Sequence, residues 1–176
     1  MITIHDLEQG SPAWHEIRKD KVTGSIAYIL LAKGLEEAIA KNSKRAFKGN
    51  YYTDRGHVLE HEAIELYEQI NDVSVGRFGF ITNELYPNAG ASPDGIADNV
   101  LLEVKCFNGH RMMKVGKYIP FEVRSQLQFN MLICDLPYAD LVLYNPDLAD
   151  EDAFKQIREH ADKRIHANII RKLKGE

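Results

Sequence analysis

Two acids and one amine, Asp94, Glu103 and Lys105, lie within a short stretch of the chain. If residues 101–106 form a β-strand, Glu103 and Lys105 point to one face. The apolar residues Leu102, Val104 and Cys106 then point to the other. A turn at residues 98 and 99 would return Asp94 to the side of Glu103. Converging carboxylates bind Mg²⁺ through hard oxygen ligands, and a neighbouring ammonium can orient or help to deprotonate an attacking water. The spacing therefore predicts a metal-dependent hydrolytic site.

A structural explanation of the same residues stays open at this point. Glu103 and Lys105 could form an ion pair on an exposed sheet face, with Asp94 serving only to form a turn. Charges in an otherwise apolar strand are costly unless they have partners, so both explanations account for the pair.

The elements that must position these residues alternate between helix and strand. Residues 54–70 place Leu59, Ala63, Leu66 and Ile70 on one apolar helical stripe, and a helical period returns at residues 123–134. Other predicted helices cover residues 12–18, 25–34 and 151–172, part of residues 41–52 is helix or loop, and predicted strands cover 73–82, 89–97, 101–106 and 139–144. This order predicts an α/β (α+β) fold, a mixed central β-sheet flanked by helices.

The composition limits the remaining possibilities. The chain has 176 residues, which fits one domain spanning 1–176, and its net charge of −4 does not indicate a nucleic-acid binder by itself. Basic residues nevertheless form clusters, one of them comprising Lys105, Arg111, Lys114 and Lys117. No signal peptide or membrane span is recognisable, which predicts a cytoplasmic protein without a membrane partner. Cys106 and Cys134 are expected to be free buried thiols.

Four separated sequence blocks resemble the motifs of a known protein family. They are WHEIR and VTGS within residues 14–25, RGHVLE at 55–60, ASPDG and LEVKC within 91–106, and QLQFNM and YNP within 126–146. In this order they resemble the lambda-exonuclease/YqaJ family of phage recombination nucleases. That family belongs to the PD-(D/E)xK superfamily, whose core is restriction-endonuclease-like.

The resemblance implies roles for individual residues. Asp94, Glu103 and the Val104 carbonyl would bind Mg²⁺, for which Mn²⁺ would substitute, and Lys105 would activate water. Glu60 matches a helix glutamate that completes the metal site, and Gln126 matches a glutamine at its edge. Arg18 and Ser25 match the residues that bind a terminal 5′-phosphate, joined by Ser92. Surface roles for Glu60, Gln126 and Arg18, and a helix-capping role for Ser25, also fit their positions.

The resemblance also implies an activity. The protein would digest double-stranded DNA 5′→3′ from its ends and leave single strand for an annealing protein. A homo-oligomer, such as the family's trimer, is possible, but the chain is short for the family.

Three alternatives remain open. An endonuclease or repair nuclease of the same fold would use the same site, and an inactive DNA-binding module would keep only the fold. The segment HVLEH also fits the inverted zinc-protease motif, because His57 and His61 are four residues apart and flank Glu60.

Overall fold

The computed structural model describes residues 1–43, 51–115 and 117–176, with only the backbone described for 51–55, 57 and 150. The first half of the chain contains β1 (Ile2–His5), α1 (Pro12–Arg18), β2 (Val22–Thr23), a 3-10 turn (Gly24–Ile26), α2 (Ala27–Lys33), α3 (Leu35–Ser43) and α4 (Tyr51–Asn71). The second half contains β3 (Phe80–Asn83), β4 (Ala89–Gly90), β5 (Gly95–Ala97), β6 (Val100–Lys105), α5 (Gly109–Val115), α6 (Phe121–Cys134), β7 (Tyr138–Tyr144), α7 (Asp150–Ala153), β8 (Phe154–His160) and α8 (Lys163–Leu173).

The central sheet has four strands in the order β5-β6-β7-β8. β6 runs parallel to β7, with Glu103 opposite Leu141, while β5–β6 and β7–β8 are antiparallel. Two neighbouring parallel strands need a long crossover connection, and the segment that contains α5 and α6 connects β6 to β7 in this way. The predicted mixed sheet is confirmed.

Each face of β6 packs against a different helix layer. Leu101 lies in the larger core with Leu127 and other residues of α6, whereas Leu102 and Val104 pack with Ala63 and Tyr67 of α4. The predicted alternation along β6 is therefore correct. On α4 the predicted stripe is only partly right, because Ile70 is 60% exposed and Tyr67 turns inward instead.

The prediction of one long helix over residues 151–172 is wrong. The structure has α7, then β8, then α8 in this stretch, and β8 pairs with all seven residues of β7. Pairing satisfies the backbone groups of β7, which an edge strand would leave unpaired. Asp162 then begins α8 by accepting hydrogen bonds from the backbone amides of Arg164 and Ile165.

The predicted strands before β6 are shorter than expected. Within residues 73–82 the strand begins only at Phe80, and residues 89–97 divide into β4 and β5. Two small two-stranded sheets result, β1–β3 antiparallel and β2–β4 parallel. The prediction of helix and loop over residues 41–52 lies partly outside the described residues.

Two compositional expectations concern membranes and thiols. Among the described residues, no helix combines the length and apolarity that crossing a membrane requires. Cys106 and Cys134 are free, as predicted, although Cys106 is only half-buried.

Candidate active site

The β5–β6 hairpin places Asp94 beside β6, the strand that carries Glu103 and Lys105. Gly95 pairs with Leu102, and the backbone amide of Asp94 donates to the Leu102 carbonyl at 3.2 Å. The Val104 amide donates to Oδ2 of Asp94 at 2.7 Å. Asp98, with φ of 52°, makes the turn that was expected between the strands. The predicted hairpin is confirmed, and it places the Asp94 carboxylate next to the Glu103–Val104 backbone.

Glu103 is a buried carboxylate that accepts hydrogen bonds from two neighbouring side chains. Its side chain is 2% exposed, which rules out the exposed ion pair considered from sequence. Oε1 of Glu103 accepts hydrogen bonds from Nζ of Lys105 and from Nε2 of Gln126, both at 2.5 Å. The structure thus brings Lys105 of β6 and Gln126 of α6 onto a single carboxylate oxygen.

Asn130 is a residue that the sequence analysis missed. It is 1% exposed, and its Nδ2 lies 3.4 Å from Oε2 of Glu103, the oxygen that Gln126 does not contact. Because Gln126 and Asn130 are four residues apart, they lie on one face of α6. That spacing was a usable signal once Gln126 had been singled out.

Glu60 acts on the same cluster electrostatically. Burial raises the pKa of Asp94 well above its ordinary value, and the carboxylates of Glu103 and Glu60 raise it further. Burial would lower the pKa of Lys105, but Glu103, Asp94 and Glu60 together raise it. Burial, followed by Glu60 and Asp94, also raises the pKa of the Cys106 thiol to about 11. The charges of Glu103 and Glu60 therefore act on both Asp94 and Lys105.

This donor set fits a hard divalent cation. Among the described parts of the chain, no three or more His, Cys, Asp or Glu side chains converge closely enough to hold a metal alone. Mg²⁺ does not need such a cage, since it is bound by one or two carboxylates together with water and substrate phosphates. Asp94 and Glu103 can supply those carboxylates, and crowded acids gain from a cation that offsets their charge.

Arg18 and Ser92 meet at a second cluster. Nη1 of Arg18 donates to Oγ of Ser92 at 2.7 Å, and the guanidinium lies 3.7 Å from the ring centre of Trp14. The Trp14 indole nitrogen donates to the Gly79 carbonyl at 2.9 Å and to Ser92 Oγ at 3.2 Å. Ser92 precedes Asp94 by two residues, so this cluster adjoins the carboxylates along the chain.

Ser25 lies in the 3-10 turn that follows β2. Its hydroxyl is 3.4 Å from that of Thr23, and Thr23 pairs with Gly90 in the β2–β4 sheet. The pairing places the turn on the strand segment that leads to Ser92. The described contacts thus connect Ser25 to the segment of Ser92 through the β2–β4 pairing, whereas Arg18 contacts Ser92 directly.

The zinc-protease alternative receives no support from His61. Its Nε2 lies 3.3 Å from Oε1 of Glu65, and its Nδ1 lies 3.0 Å from Nη2 of Arg77, on an exposed surface of α4. Glu60, in contrast, acts on the Asp94 cluster. The side chain of His57, the other predicted ligand, lies outside the described residues.

Comparison with known proteins identifies the family of the chain. The model of the YqaJ-like viral recombinase domain matches residues 13–137, more than half of the chain. The chain belongs to this family. No curated protein matches the YqaJ-like chain significantly by sequence.

Solved structures give the same result for the fold. The YqaJ-like chain is 26% identical to an alkaline exonuclease, LHK-Exo, from Laribacter hongkongensis, with a TM-score of 0.82, covering 94% of this chain and 90% of that one. LHK-Exo in complex with dAMP gives 25% identity and a TM-score of 0.84 over the same shares. A phage-related exonuclease from Haemophilus somnus, 16% identical with a TM-score of 0.61 over 91% and 93%, shares the fold. Family and fold together support a nuclease.

Proposed function

We propose that this protein is a Mg²⁺-dependent exodeoxyribonuclease that digests duplex DNA 5′→3′ from a phosphorylated end. The observation that carries the proposal is the cluster of Asp94, Glu103 and Lys105 at the end of β6, with Gln126 donating to the same Glu103 oxygen as Lys105. The similarity to alkaline exonucleases supports a nucleic-acid substrate cut from its ends.

Each residue of the cluster has a distinct role in the proposed hydrolysis. Bound Mg²⁺ would polarise the attacking water and offset charge on the phosphoryl oxygens. Asp94, Glu103 and the Val104 carbonyl would hold the ion, with Glu60 adding negative charge from α4. Gln126 orients Glu103, and Lys105 is held where it can orient the water.

The Arg18–Ser92 cluster supplies the proposed end recognition. A guanidinium makes bidentate contacts to phosphate, and stacking on Trp14 fixes its direction. Ser92 and Ser25 would donate hydroxyl hydrogen bonds to the same terminal phosphate. A 5′-phosphorylated end would then be held close to Asp94, which limits digestion to DNA with free ends.

Digestion of matched DNA forms tests the proposal. Linear 5′-phosphorylated duplex and closed circular duplex are incubated with the protein and Mg²⁺, with Lys105→Ala as the control variant. We expect loss of the linear form alone, abolished by Lys105→Ala and by EDTA. Cutting of both forms would indicate an endonuclease with the same site. No Mg²⁺-dependent cutting of either form would overturn the proposal.

End recognition has its own test on linear duplexes with 5′-phosphate or 5′-hydroxyl ends. The wild type should digest the phosphorylated duplex faster, by about 10- to 100-fold, as expected for a charged hydrogen bond. Arg18→Ala should remove this preference, and Arg18→Lys should restore only part of it because an ammonium lacks the planar fork. An undiminished preference in Arg18→Ala would place the phosphate site elsewhere.

The product of this activity would be single-stranded DNA with a 3′ end. We extend the proposal to the step that follows, in which an annealing protein takes up that strand. Assembly into a ring such as a trimer would make digestion processive. Sedimentation of the protein with and without DNA ends measures the assembly directly, and a protein that is monomeric in both conditions would exclude the ring.

A further inference from the structure

Exposed apolar and basic side chains lie together directly after the strand that carries Glu103 and Lys105. The group, called the α5 patch here, consists of Arg111, Met113, Lys114, Lys117, Tyr118 and Phe121. Its three large apolar side chains remain in solvent, with Met113 54%, Tyr118 73% and Phe121 54% exposed. Large apolar side chains scattered singly are ordinary, whereas a contiguous group indicates a binding surface.

Several contacts make the α5 patch one surface. The amides of Lys117 and Tyr118 donate to the Lys114 carbonyl at 3.2 and 3.1 Å, which folds the turn against the end of α5. Nη2 of Arg111 lies 3.7 Å from Oε1 of Glu122, joining α5 to the start of α6. The turn and the ion pair therefore hold α5 next to the start of α6, so the exposed side chains lie on neighbouring segments.

The α5 patch is not a piece of core left incompletely packed. Met112 and Val115 on the other side of α5 are buried, at 0% and 1% exposure, and belong to the main core. The Arg111 guanidinium lies 4.1 Å from the ring centre of Phe107, which itself packs against that core. Since α5 already buries its inward face, the outward side chains remain available for a partner.

The positive charge of the α5 patch indicates what kind of partner it binds. Arg111, Lys114 and Lys117 carry positive charge, and no ion pair among the described residues uses Lys114 or Lys117. Cations next to aromatic rings suit single-stranded nucleic acid, because cations follow the phosphates while rings stack on bases. In a duplex the bases are stacked on one another, so exposed rings have no equivalent contact there.

We propose that the α5 patch binds an unpaired DNA strand next to the catalytic site, with Tyr118 and Phe121 stacking on its bases. This inference rests on the proposed function for the identity of the nucleic acid. Its geometry comes from the chain itself, since only residues 106–108 separate β6 from α5. A strand that is separated from the duplex at the carboxylates would reach the patch at once.

Binding in EDTA tests the inference without any cutting. Fluorescence anisotropy is measured with a labelled single-stranded 20-mer and with a duplex of the same length. We expect Tyr118→Ala and Phe121→Ala each to weaken single-strand binding about fivefold or more while changing duplex binding little. Lys114→Ala combined with Lys117→Ala should weaken both and reduce the salt slope for single strand by about 1.4.

A matched control lies at the other end of α6. Leu85 is 74% exposed and lines a groove with Leu132 and Leu136, so Leu85→Ala should leave both affinities unchanged. Tyr118→Ala decides the result if Phe121→Ala proves unstable, because Tyr118 is the most exposed of the three large apolar side chains. Unchanged single-strand binding in Tyr118→Ala, or equal losses for single strand and duplex, would overturn the inference.

The test separates this inference from the proposed function. Loss of single-strand affinity in a protein that cuts no DNA would support the patch and contradict the nuclease. Normal digestion by the wild type, with unchanged single-strand affinity in the patch variants, would support the nuclease and contradict the patch.

Discussion

The amide oxygen of Asn130 packs so closely on the backbone of Gly24 that a Cβ atom added there would collide with it. Asn130 is buried, and its Nδ2 lies 3.4 Å from Glu103. The 3-10 turn that carries Ser25 is thereby fixed against the residue that neighbours the Glu103 carboxylate. A glycine is required at position 24 because of this close approach.

Gly24→Ala should lower both stability and activity. The added methyl group forces Asn130 to move inside a packed core, which costs about 1–3 kcal/mol of unfolding free energy. Moving Asn130 also displaces Glu103, so digestion by the folded variant should slow. Urea unfolding and the linear-duplex assay measure the two effects.

Gly56→Ala is the matched control for stability. Gly56 lies within α4, and a Cβ atom there meets nothing within 4 Å. The substitution should stabilise the protein by about 0.5–1 kcal/mol, since alanine is the better helix former. If Gly24→Ala were as stable as Gly56→Ala, the packing of Asn130 on Gly24 would be wrong.

Substitutions of Gln126 and Gln128 distinguish effects on activity from effects on stability. Gln126 contacts Glu103, whereas Gln128 is fully buried and holds the end of β8 through Glu159, the His160 carbonyl and the Asp162 amide. Gln126→Ala should lower kcat about 10- to 100-fold, as loss of a residue that orients a metal ligand does. Its unfolding free energy should change little.

Gln128→Ala should show the opposite pattern. Removing its amide leaves buried groups without partners, which costs about 2 kcal/mol of unfolding free energy. Activity per folded molecule should stay near that of the wild type. Equal kcat losses in the two variants would mean that the Gln126–Glu103 contact has no special role in the reaction.

The acidic residues of the site should lower the stability of the folded protein when no metal is bound. Burial and the neighbouring carboxylates of Glu103 and Glu60 raise the pKa of Asp94, so its charged form lowers the stability of the fold. Asp94→Asn removes that charge while keeping an oxygen that can accept from Val104. In EDTA this variant should be more stable than the wild type, by about 1 kcal/mol. Calorimetry with and without Mg²⁺ measures the effect.

Added Mg²⁺ should reverse that order. An ion that binds only the folded wild type raises its melting temperature by mass action, whereas Asp94→Asn loses a ligand and gains less. Glu65→Gln, on the exposed face of α4, provides a charge-matched control that should respond to Mg²⁺ as the wild type does. An equal Mg²⁺ response in Asp94→Asn would exclude Asp94 as a ligand.

Local patterns allowed the site to be predicted better than the sheet around it. The Asp94 hairpin followed from a turn and an alternating strand, both determined within about a dozen residues. β8 could not be predicted in the same way, because its polar sequence resembles an amphipathic helix and becomes a strand only by pairing with β7. Asp140, a lone charge in the apolar strand β7, was the available signal that a polar partner strand lies beside it.

Arg158 of β8 is that partner, and its removal should destabilise the protein in a pH-dependent way. It donates to both carboxylate oxygens of the fully buried Asp140, at 2.8 and 2.6 Å, and Tyr67 donates to Oδ2 at 2.8 Å. Burial alone would raise the pKa of Asp140, but the bonds from Arg158, Tyr67 and Gln156 hold it below its ordinary value. Arg158→Ala should cost about 3 kcal/mol at pH 7, because Asp140 then stays buried without its counter-ion.

The pH dependence follows from the lowered pKa of Asp140. The stabilisation is complete above the unfolded pKa of about 3.9 and is lost as the pH falls through the lower folded value. Urea unfolding of wild type and Arg158→Ala should therefore converge toward acid pH. Arg111→Ala, which breaks an exposed pair with Glu122, should cost less than about 1 kcal/mol at pH 7. A gap between wild type and Arg158→Ala that stays constant from pH 7 to below pH 3 would show that Arg158 stabilises the fold by packing, without acting on the charge of Asp140.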